Sequence, residues 1–471
     1  MKKSIVIFTL LVATLFSNIA VSQKDIATIT QQAQSGNAEA QRELGIIYFE
    51  KDNNPKQDQP LAIYWLKKAA GQEDMIAQNY LGYIFIHGIG VESSIQQAIK
   101  WYVKAAQKGD VHSQYSLSVL YDQTRDFELS TFWLTQSARR GNPEAQVELA
   151  LRYKNRGIGQ GRDDTQFFYW SQESALADYG SAQYFVGDRY ESGKGIPQNN
   201  ILSAVWLTIA LEHIKDEYNI TSQKKRFTNT LTESQKKQVN ALVMKYKENI
   251  LNNNKLINKR LAKIKPISDP TPSEKFKLTL KKAESGDERS MVEMGLFYAN
   301  GVGVDQDYLN AIKWFEKASE KENPEAQYNL AYAYSQGLGV KRDPVKAEHY
   351  YSLAAKGEGK YSLMYLGVKY RDGVGVEKDV AKARSYFERS AMQGVAIAQR
   401  SLADFYLKGI GTEQNTRKAY IWYSIACAFG DSQARFGRDD VAKEFQADEL
   451  AEAQDDALAL YHKIFKPESD I

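Results

Sequence analysis

The chain has a single cysteine, Cys427, in 471 residues, so no intrachain disulfide can form. Its five histidines, His87, His112, His213, His349 and His462, are scattered. None belongs to an HxxxH pair or a His/Cys cluster, so no metal is expected. Charge of one sign is lacking overall, because 61 Lys+Arg against 58 Asp+Glu leave only +3. That balance argues against nucleic acid as a partner. No G-x-S-x-G is present, and no glycine pair extends to GxGxxG or GxxxxGK[ST]. Asp439-Asp440 and Asp455-Asp456 are adjacent on helical stretches. Neighbouring helix residues point apart, so no shared acid–base site follows. Neither an enzyme active site nor a cofactor is indicated.

Long hydrophobic runs are also missing, apart from the start. "MKKSIVIFTLLVATLFSNIAVSQ" has a basic Lys2-Lys3, an apolar core from Ile5 to Phe16, and small residues at Ala20 and Ser22. This pattern predicts a secretory signal at 1–22, with an uncleaved anchor as the alternative. No cysteine follows it, so no lipid anchor is expected. Export without disulfides suits a bacterial periplasm, where the mature chain is expected to be soluble.

What the sequence has in abundance is itself. Ala40-Gln41, Ala77-Gln78, Ala145-Gln146, Ala182-Gln183, Ala326-Gln327 and Ala398-Gln399 recur, with weaker copies at Ser113-Gln114, Ser290-Met291 and Ser362-Leu363. Nine copies fall into two blocks. Each has the grammar of "PEAQYNLAYAYSQGLGVKRDPVKAEHYYSLAA" (324–355). Ala326, Leu330, Ala331 and Tyr334 share one helical face, a glycine pair follows, and Val345, Ala347, Tyr350, Ala354 and Ala355 form a second stripe. A large aromatic recurs at Trp101, Trp206, Trp314, Tyr350, Tyr386 and Trp422. Each unit is therefore a helix–turn–helix pair whose apolar faces need neighbours.

These residues resemble the Sel1-like repeat family, with its pattern A-x-x-x-L-G-x-x-Y, then G-x-G-V, then A-x-x-W-x-x-x-A-A. "AQNYLGYIFIHGIGVESSIQQAIKWYVKAA" (77–106) matches at almost every key position. The resemblance covers about 25–215 and 283–430. It implies an all-α fold, an α/α superhelical solenoid related to tetratricopeptide arrays, and a role as adaptor or regulator, often exported in bacteria. A cysteine-rich branch of the family is linked to penicillin binding. The pairing cysteines of that branch are absent, so hydrolase or penicillin-binding activity on cell-wall-related compounds is a secondary expectation. An envelope or polysaccharide assembly role is a third.

The glycine pairs Gly88/Gly90, Gly301/Gly303, Gly337/Gly339 and Gly373/Gly375, with those at 157/159, 193/195 and 409/411, each follow a helix rather than a strand. They are expected to be structural hinges that supply left-handed backbone angles, not phosphate cradles.

Two segments outside the repeats look like end caps. In 231–251, Thr232 and Gln235 form a capping-box start, and Val239, Leu242, Val243, Tyr246 and Ile250 form one stripe. In 447–465, Leu450, Ala457, Leu458 and Tyr461 share a face. The expected organisation is a first array with cap at 25–250, a basic, proline-containing linker at 251–275, and a second array with acidic cap at 276–467. One continuous superhelix with an insert is the alternative. Residues 224–265 hold twelve Lys/Arg and two Asp/Glu, whereas 431–471 hold eleven Asp/Glu and five Lys/Arg. Attraction between the caps, within or between chains, is one reading, and solvated helix faces are the other. The basic segment also suits weak contact with an anionic envelope surface.

By analogy with tetratricopeptide arrays, the first helix of each pair lines a concave groove. One ladder on these helices includes Tyr115, Tyr184, Tyr328 and Arg400, and a second includes Tyr83, Asp188, Tyr332 and Asp404. The mainly apolar and aromatic composition suits a protein or peptide partner bound along the groove. Neither the partner nor the oligomeric state is encoded in these residues.

Overall fold

The computed structural model describes residues 23–49, 58–155, 162–214, 219–261, 272–302 and 304–465. The expected signal segment 1–22, the glycine pair at 157/159 and Gly303 lie outside them. Every regular element among the described residues is a helix. Nine antiparallel pairs, here called A and B helices, form two arrays. The first array has Ala38–Phe49 with Gln59–Gly71, Met75–His87 with Ile95–Gln107, Val111–Gln123 with Phe127–Arg139, Pro143–Lys154 with Asp164–Leu176, and Gly180–Ser192 with Asn200–His213. The second has Glu288–Asn300 with Tyr308–Ser319, Pro324–Gln336 with Pro344–Lys356, Lys360–Asp372 with Val380–Ala391, and Ala396–Lys408 with Thr416–Ala428. An extra helix precedes each array, Gln23–Gln34 and Pro272–Glu284. The described chain up to Trp133 forms one compact unit, and that from Leu134 onward forms another.

The helices start where side chains replace missing backbone partners. Asp74, Asp110, Asp287 and Asn323 each accept from a backbone N–H two or three residues on and so cap an A helix. Asp307, Asp343, Asp379 and Asn415 do the same for B helices. The repeated Ala-Gln has a specific task. The Gln78 amide donates to the Ala70 carbonyl at 3.2 Å, and Gln41, Gln114, Gln146 and Gln399 donate at 2.9–3.1 Å to Ala33, Ala106, Ala138 and Ala391. Each acceptor lies in the last turn of the preceding helix, whose carbonyls lack intrahelical partners. All five bonds are buried.

The glycines divide into three kinds. Gly82 and Gly367 lie inside A helices, where a Cβ would come 2.7 Å from the Tyr102 ring and 2.6 Å from the Phe387 ring of the facing B helices. The first turn glycine ends the A helix in the left-handed region, as at Gly337 with φ +77°, and its N–H returns to the Ala333 carbonyl. The second turn glycine also has positive φ, but most of its copies approach the start of the preceding repeat's B helix. A Cβ on Gly90 would lie 2.9 Å from Gln59, and one on Gly339 would lie 2.8 Å from the Tyr308 backbone. Gly375 has the same φ of about +68° but open space around it.

Helices Ile220–Thr228 and Glu233–Leu261 close the first array. Thr232 and Gln235 exchange hydrogen bonds at the start of the longer one. Val239, Val243 and Ile250 are buried, and Tyr246 packs on Trp206 at 5.1 Å. This helix continues to Leu261, so the first part of the expected linker is helical.

After the ninth repeat come Ala434–Val441, a short 3-10 turn at Ala442–Glu444, and Ala447–Ile464. The last helix packs against the end of the first array. Tyr461 is buried in one cluster with Val186, Tyr190 and Trp206, and its hydroxyl donates to the Gly195 carbonyl at 2.9 Å. Asn199 donates to Asp455, Gln235 donates to Asp448, and Gln454 accepts from the Asn200 N–H. Arg438 donates to the Ser192 carbonyl. Among the described residues, no ion pair joins the basic segment 224–265 to the acidic segment 431–465. The last helix meets the end of the first array through a buried tyrosine and hydrogen bonds in which at most one group is charged, not through ion pairs between the two caps.

Two predictions follow from this packing. Gly375→Ala costs about 1–2 kcal/mol from the left-handed angle alone. Gly339→Ala adds an overpacking cost of about 1–3 kcal/mol. Thermal unfolding that ranks the two equally would remove the close-approach role. For the cap contact, sedimentation velocity should give the same coefficient in low and high salt, whereas Tyr461→Ala should lower it. A wild-type coefficient that falls with salt would assign the closure to charge.

Candidate protein-binding surface

Three positions of the first ladder on the A helices, Arg42, Asn79 and Arg400, serve as struts between neighbouring elements. Arg42 pairs with Asp74 at 3.0 Å, and Asn79 donates to Asp110 at 2.8 Å. Both acceptors cap the next A helix. Arg400 pairs in the same way with Asp431 at 2.6 Å, and Asp431 caps the helix that follows. Tyr184 packs with Leu207, Ala210 and Ile220, and Tyr115 is half-buried.

The second ladder is less uniform. Tyr83 contacts Phe49 and, at 4.3 Å, His87, and burial raises its hydroxyl pKa. Asp188 is half-exposed beside Arg189. Asp404 accepts a short hydrogen bond from the Tyr423 hydroxyl of its own repeat. Arg400 and Asp404 are committed to partners within the fold.

Tyr328 and Tyr332 behave differently, because the structure gathers other tyrosines around them. Tyr328 lies 5.1 Å from Tyr361 and 5.8 Å from Tyr351. Tyr351 stacks on Tyr365 at 4.4 Å and an interplanar angle of 21°. The cluster spans the A and B helices of the seventh repeat and the A helix of the eighth. Tyr332 is 47% exposed and Tyr361 42%. Tyr351, Tyr361 and Tyr365 were not among the sequence-derived candidates. The signal was present in "HYYS" and "KYSLMY", but it becomes visible only when the two repeats are stacked.

The hydroxyls of the cluster are uncharged at neutral pH, and the charged groups beside it are the Glu348–Lys369 pair and Lys360, whose ammonium lies 5.1 Å from the Tyr361 ring. Burial and the neighbouring tyrosines push the Tyr328 hydroxyl up to about 12. Burial raises Tyr351 as well, and burial plus the hydrogen bond to Glu348 raises Tyr365. Glu348 is the one acid at the cluster. Burial acts to raise its carboxyl, but hydrogen bonds from Lys369 and Tyr365 outweigh that and hold it below the usual value. An aromatic surface with hydroxyls at its rim buries apolar area while keeping polar directionality, the composition of interaction hot spots.

Other chemistry is poorly supplied. Cys427 is buried, and burial pushes its thiol up to about 11. A protonated thiol is a weak nucleophile. Among the described residues no group of three or more His, Cys, Asp or Glu gathers as a metal site. No described helix is long and apolar enough to cross a membrane.

Comparison with known proteins agrees with the repeat geometry. The Sel1 repeat model matches nine times, at 38–74, 76–110, 111–142, 143–179, 180–213, 289–323, 324–358, 360–395 and 396–431. A putative sel1-like repeat-containing protein, L21 of Acanthamoeba polyphaga mimivirus, is 28% identical over 149 residues, covering 32% of this chain and 26% of that protein. The ERAD-associated E3 ubiquitin-protein ligase component HRD3B of Arabidopsis thaliana is 35% identical over 99 residues, 21% of this chain and 15% of that protein. The chitin synthase regulator SKT5 of Saccharomyces cerevisiae is 26% identical over 205 residues, 39% of this chain and 29% of that protein. The chain thus spans less than a third of the length of these relatives. Among solved structures, c5321 of uropathogenic Escherichia coli, a protective antigen, aligns over 94% of this chain and 96% of its own at 23% identity and a TM-score of 0.38. A Sel1 repeat protein from Oxalobacter formigenes aligns over 88% and 89% at 21% identity and a TM-score of 0.32.

The thiol gives a prediction with a definite sign. An unfolded cysteine loses its proton near pH ~8.5, whereas Cys427 holds it up to about 11. Labelling of the native protein at pH ~8 should therefore be slower than that of the unfolded chain by about two orders of magnitude. The stability contributed by this group is complete below pH ~8.5 and is lost as pH rises through about 11. Labelling of native protein at the unfolded rate would show an accessible thiol.

Proposed function

Because this chain belongs to the Sel1 repeat family, we propose that it is a non-catalytic interaction scaffold or regulator, exported to a bacterial periplasm. Its partner is a protein or peptide, bound on the tyrosine cluster of the seventh and eighth repeats. The observation that carries this reading is the aromatic surface formed by Tyr328, Tyr332, Tyr351, Tyr361 and Tyr365. Tyrosine binds with large area and few rotatable bonds, so it loses little entropy on contact. Relatives named as a ubiquitin-ligase component and as a chitin synthase regulator are compatible with this role. The location rests on the Lys2-Lys3, apolar and small-residue pattern at the N-terminus.

A photo-crosslinking amino acid in place of Tyr332, in cells fractionated for periplasm, tests both parts. A discrete protein adduct in the periplasmic fraction is the expected result. Tyr328→Ala and Tyr361→Ala, each outside the fully buried core, should weaken that partner at least tenfold, about 1.4 kcal/mol. Full retention of the partner by both variants would place the surface elsewhere, and adducts confined to the cytoplasm would overturn the location.

A further inference from the structure

The second cap of the first array, Glu233–Leu261, has a side that no other element uses. Val239, Val243 and Ile250 face the core. About 100° round the helix from Val243 and Ile250, Met244 is 69% exposed and Leu251 59% exposed. Lys237 and Met244 are seven residues apart, as are Met244 and Leu251, so the three lie in one line along the helix. Lys237 and Lys245 are exposed. Lys236 pairs with Glu233 and Lys247 with Glu212, each leaving its ammonium partly open to solvent. The sequence adds Lys255, Lys259 and Arg260 to this helix, and 224–265 as a whole holds twelve basic residues against two acids. Among the described residues, no ion pair joins the acidic C-terminal cap to this helix, which it meets near its start, where Gln235 contacts Ala447 and Asp448.

We propose that this helix is an interfacial docking surface for an anionic lipid membrane. Its exposed lysines meet lipid phosphates, and Met244 and Leu251 enter the headgroup boundary. Charge complementarity selects the occupant: a six-to-one excess of basic over acidic residues on a chain of nearly balanced charge is a local field, not a global one. The exposed apolar residues decide between anionic partners. Nucleic-acid surfaces interleave cations with stacking aromatics, whereas this face interleaves them with flexible aliphatic side chains of the kind that enter a bilayer interface. Attraction of the cations falls off within a Debye length, so the contact is reversible and salt-sensitive. This inference stands apart from the partner surface above, since it uses other helices and a different chemistry.

Vesicle co-sedimentation of the full chain tests it. Vesicles of phosphatidylcholine mixed with phosphatidylglycerol should retain the protein, and pure phosphatidylcholine vesicles should not. High salt should release it. The combined Lys236→Glu, Lys237→Glu and Lys245→Glu variant should lose at least tenfold in binding. Met244→Ser with Leu251→Ser should lose several-fold at unchanged charge. These five positions lie outside the buried core, and circular dichroism checks that the variants fold. Equal retention by neutral vesicles would overturn the proposal, as would no retention by anionic ones. Unchanged binding by the Met244→Ser, Leu251→Ser variant would overturn the insertion. Duplex DNA bound more tightly than anionic vesicles would make nucleic acid the partner instead.

Discussion

The last-turn carbonyls of Ala70, Ala106, Ala138 and Ala391 have no partner in their own helix and accept from backbone N–H groups of the turn that follows. At five junctions a buried glutamine amide adds a further donor, from Gln41, Gln78, Gln114, Gln146 and Gln399, whereas Met291 and Leu363 hold that position in two other repeats. A hydrogen bond of this kind contributes about 0.5–1.5 kcal/mol net, and it recurs at these five junctions. The bond also has direction. It fixes the rotation of the A helix about its own axis, because the amide reaches only a carbonyl eight residues back. Once that rotation is set, the alanines and the inner glycine of the A helix face the B helix. The helices can then approach until Gly82 touches Tyr102 and Gly367 touches Phe387.

This explains which parts of the architecture were legible in the sequence. Helix pairing, the period and the turns are local, and every repeat states them again in the same residues. The pairing of Ala with Gln is readable as a period without knowledge of what the amide does. The turn glycines were readable as hinges, but their division of labour was not. The first glycine of a pair is required by its backbone angle. The second mostly answers to a neighbour one repeat away, which is why Gly339 and Gly375 look alike in sequence and differ in structure.

Long-range features left weaker traces. The stripe containing Tyr461 marks a cap helix, but its receptor lies in the fifth repeat, more than 250 residues earlier. Opposite charge on the two caps suggested attraction, yet the contact consists of a tyrosine in an apolar cluster, with hydrogen bonds from Asn199 and Gln235. Charge pairs at an exposed rim contribute little, whereas a fully buried aromatic contributes several kcal/mol. Packing therefore closes the caps, and Lys237 and Lys245 of the basic segment remain exposed. The tyrosine surface falls between these cases. Tyr328 and Tyr332 were readable from their positions on an A helix, while Tyr351, Tyr361 and Tyr365 join them only through stacking.

The two surfaces follow from one constraint. In a repeat array the buried positions are dictated by the neighbouring repeat, so variation is confined to A-helix positions that point away from it and to the non-repeat caps. Arg42, Asn79 and Arg400 show how the first of these freedoms can be spent on structure, since each reaches the capping aspartate of the next helix. At the seventh repeat the same position is Tyr328, and the residue at the start of the next A helix is Gly359, which offers no side-chain oxygen to bind. The strut is absent there, and tyrosines occupy its place. A repeat that gives up an internal hydrogen-bonded strut for a half-exposed aromatic stack loses a fixed polar contact between neighbours. What it gains is aromatic area presented to solvent at Tyr332 and Tyr361, the surface on which the proposed partner would bind.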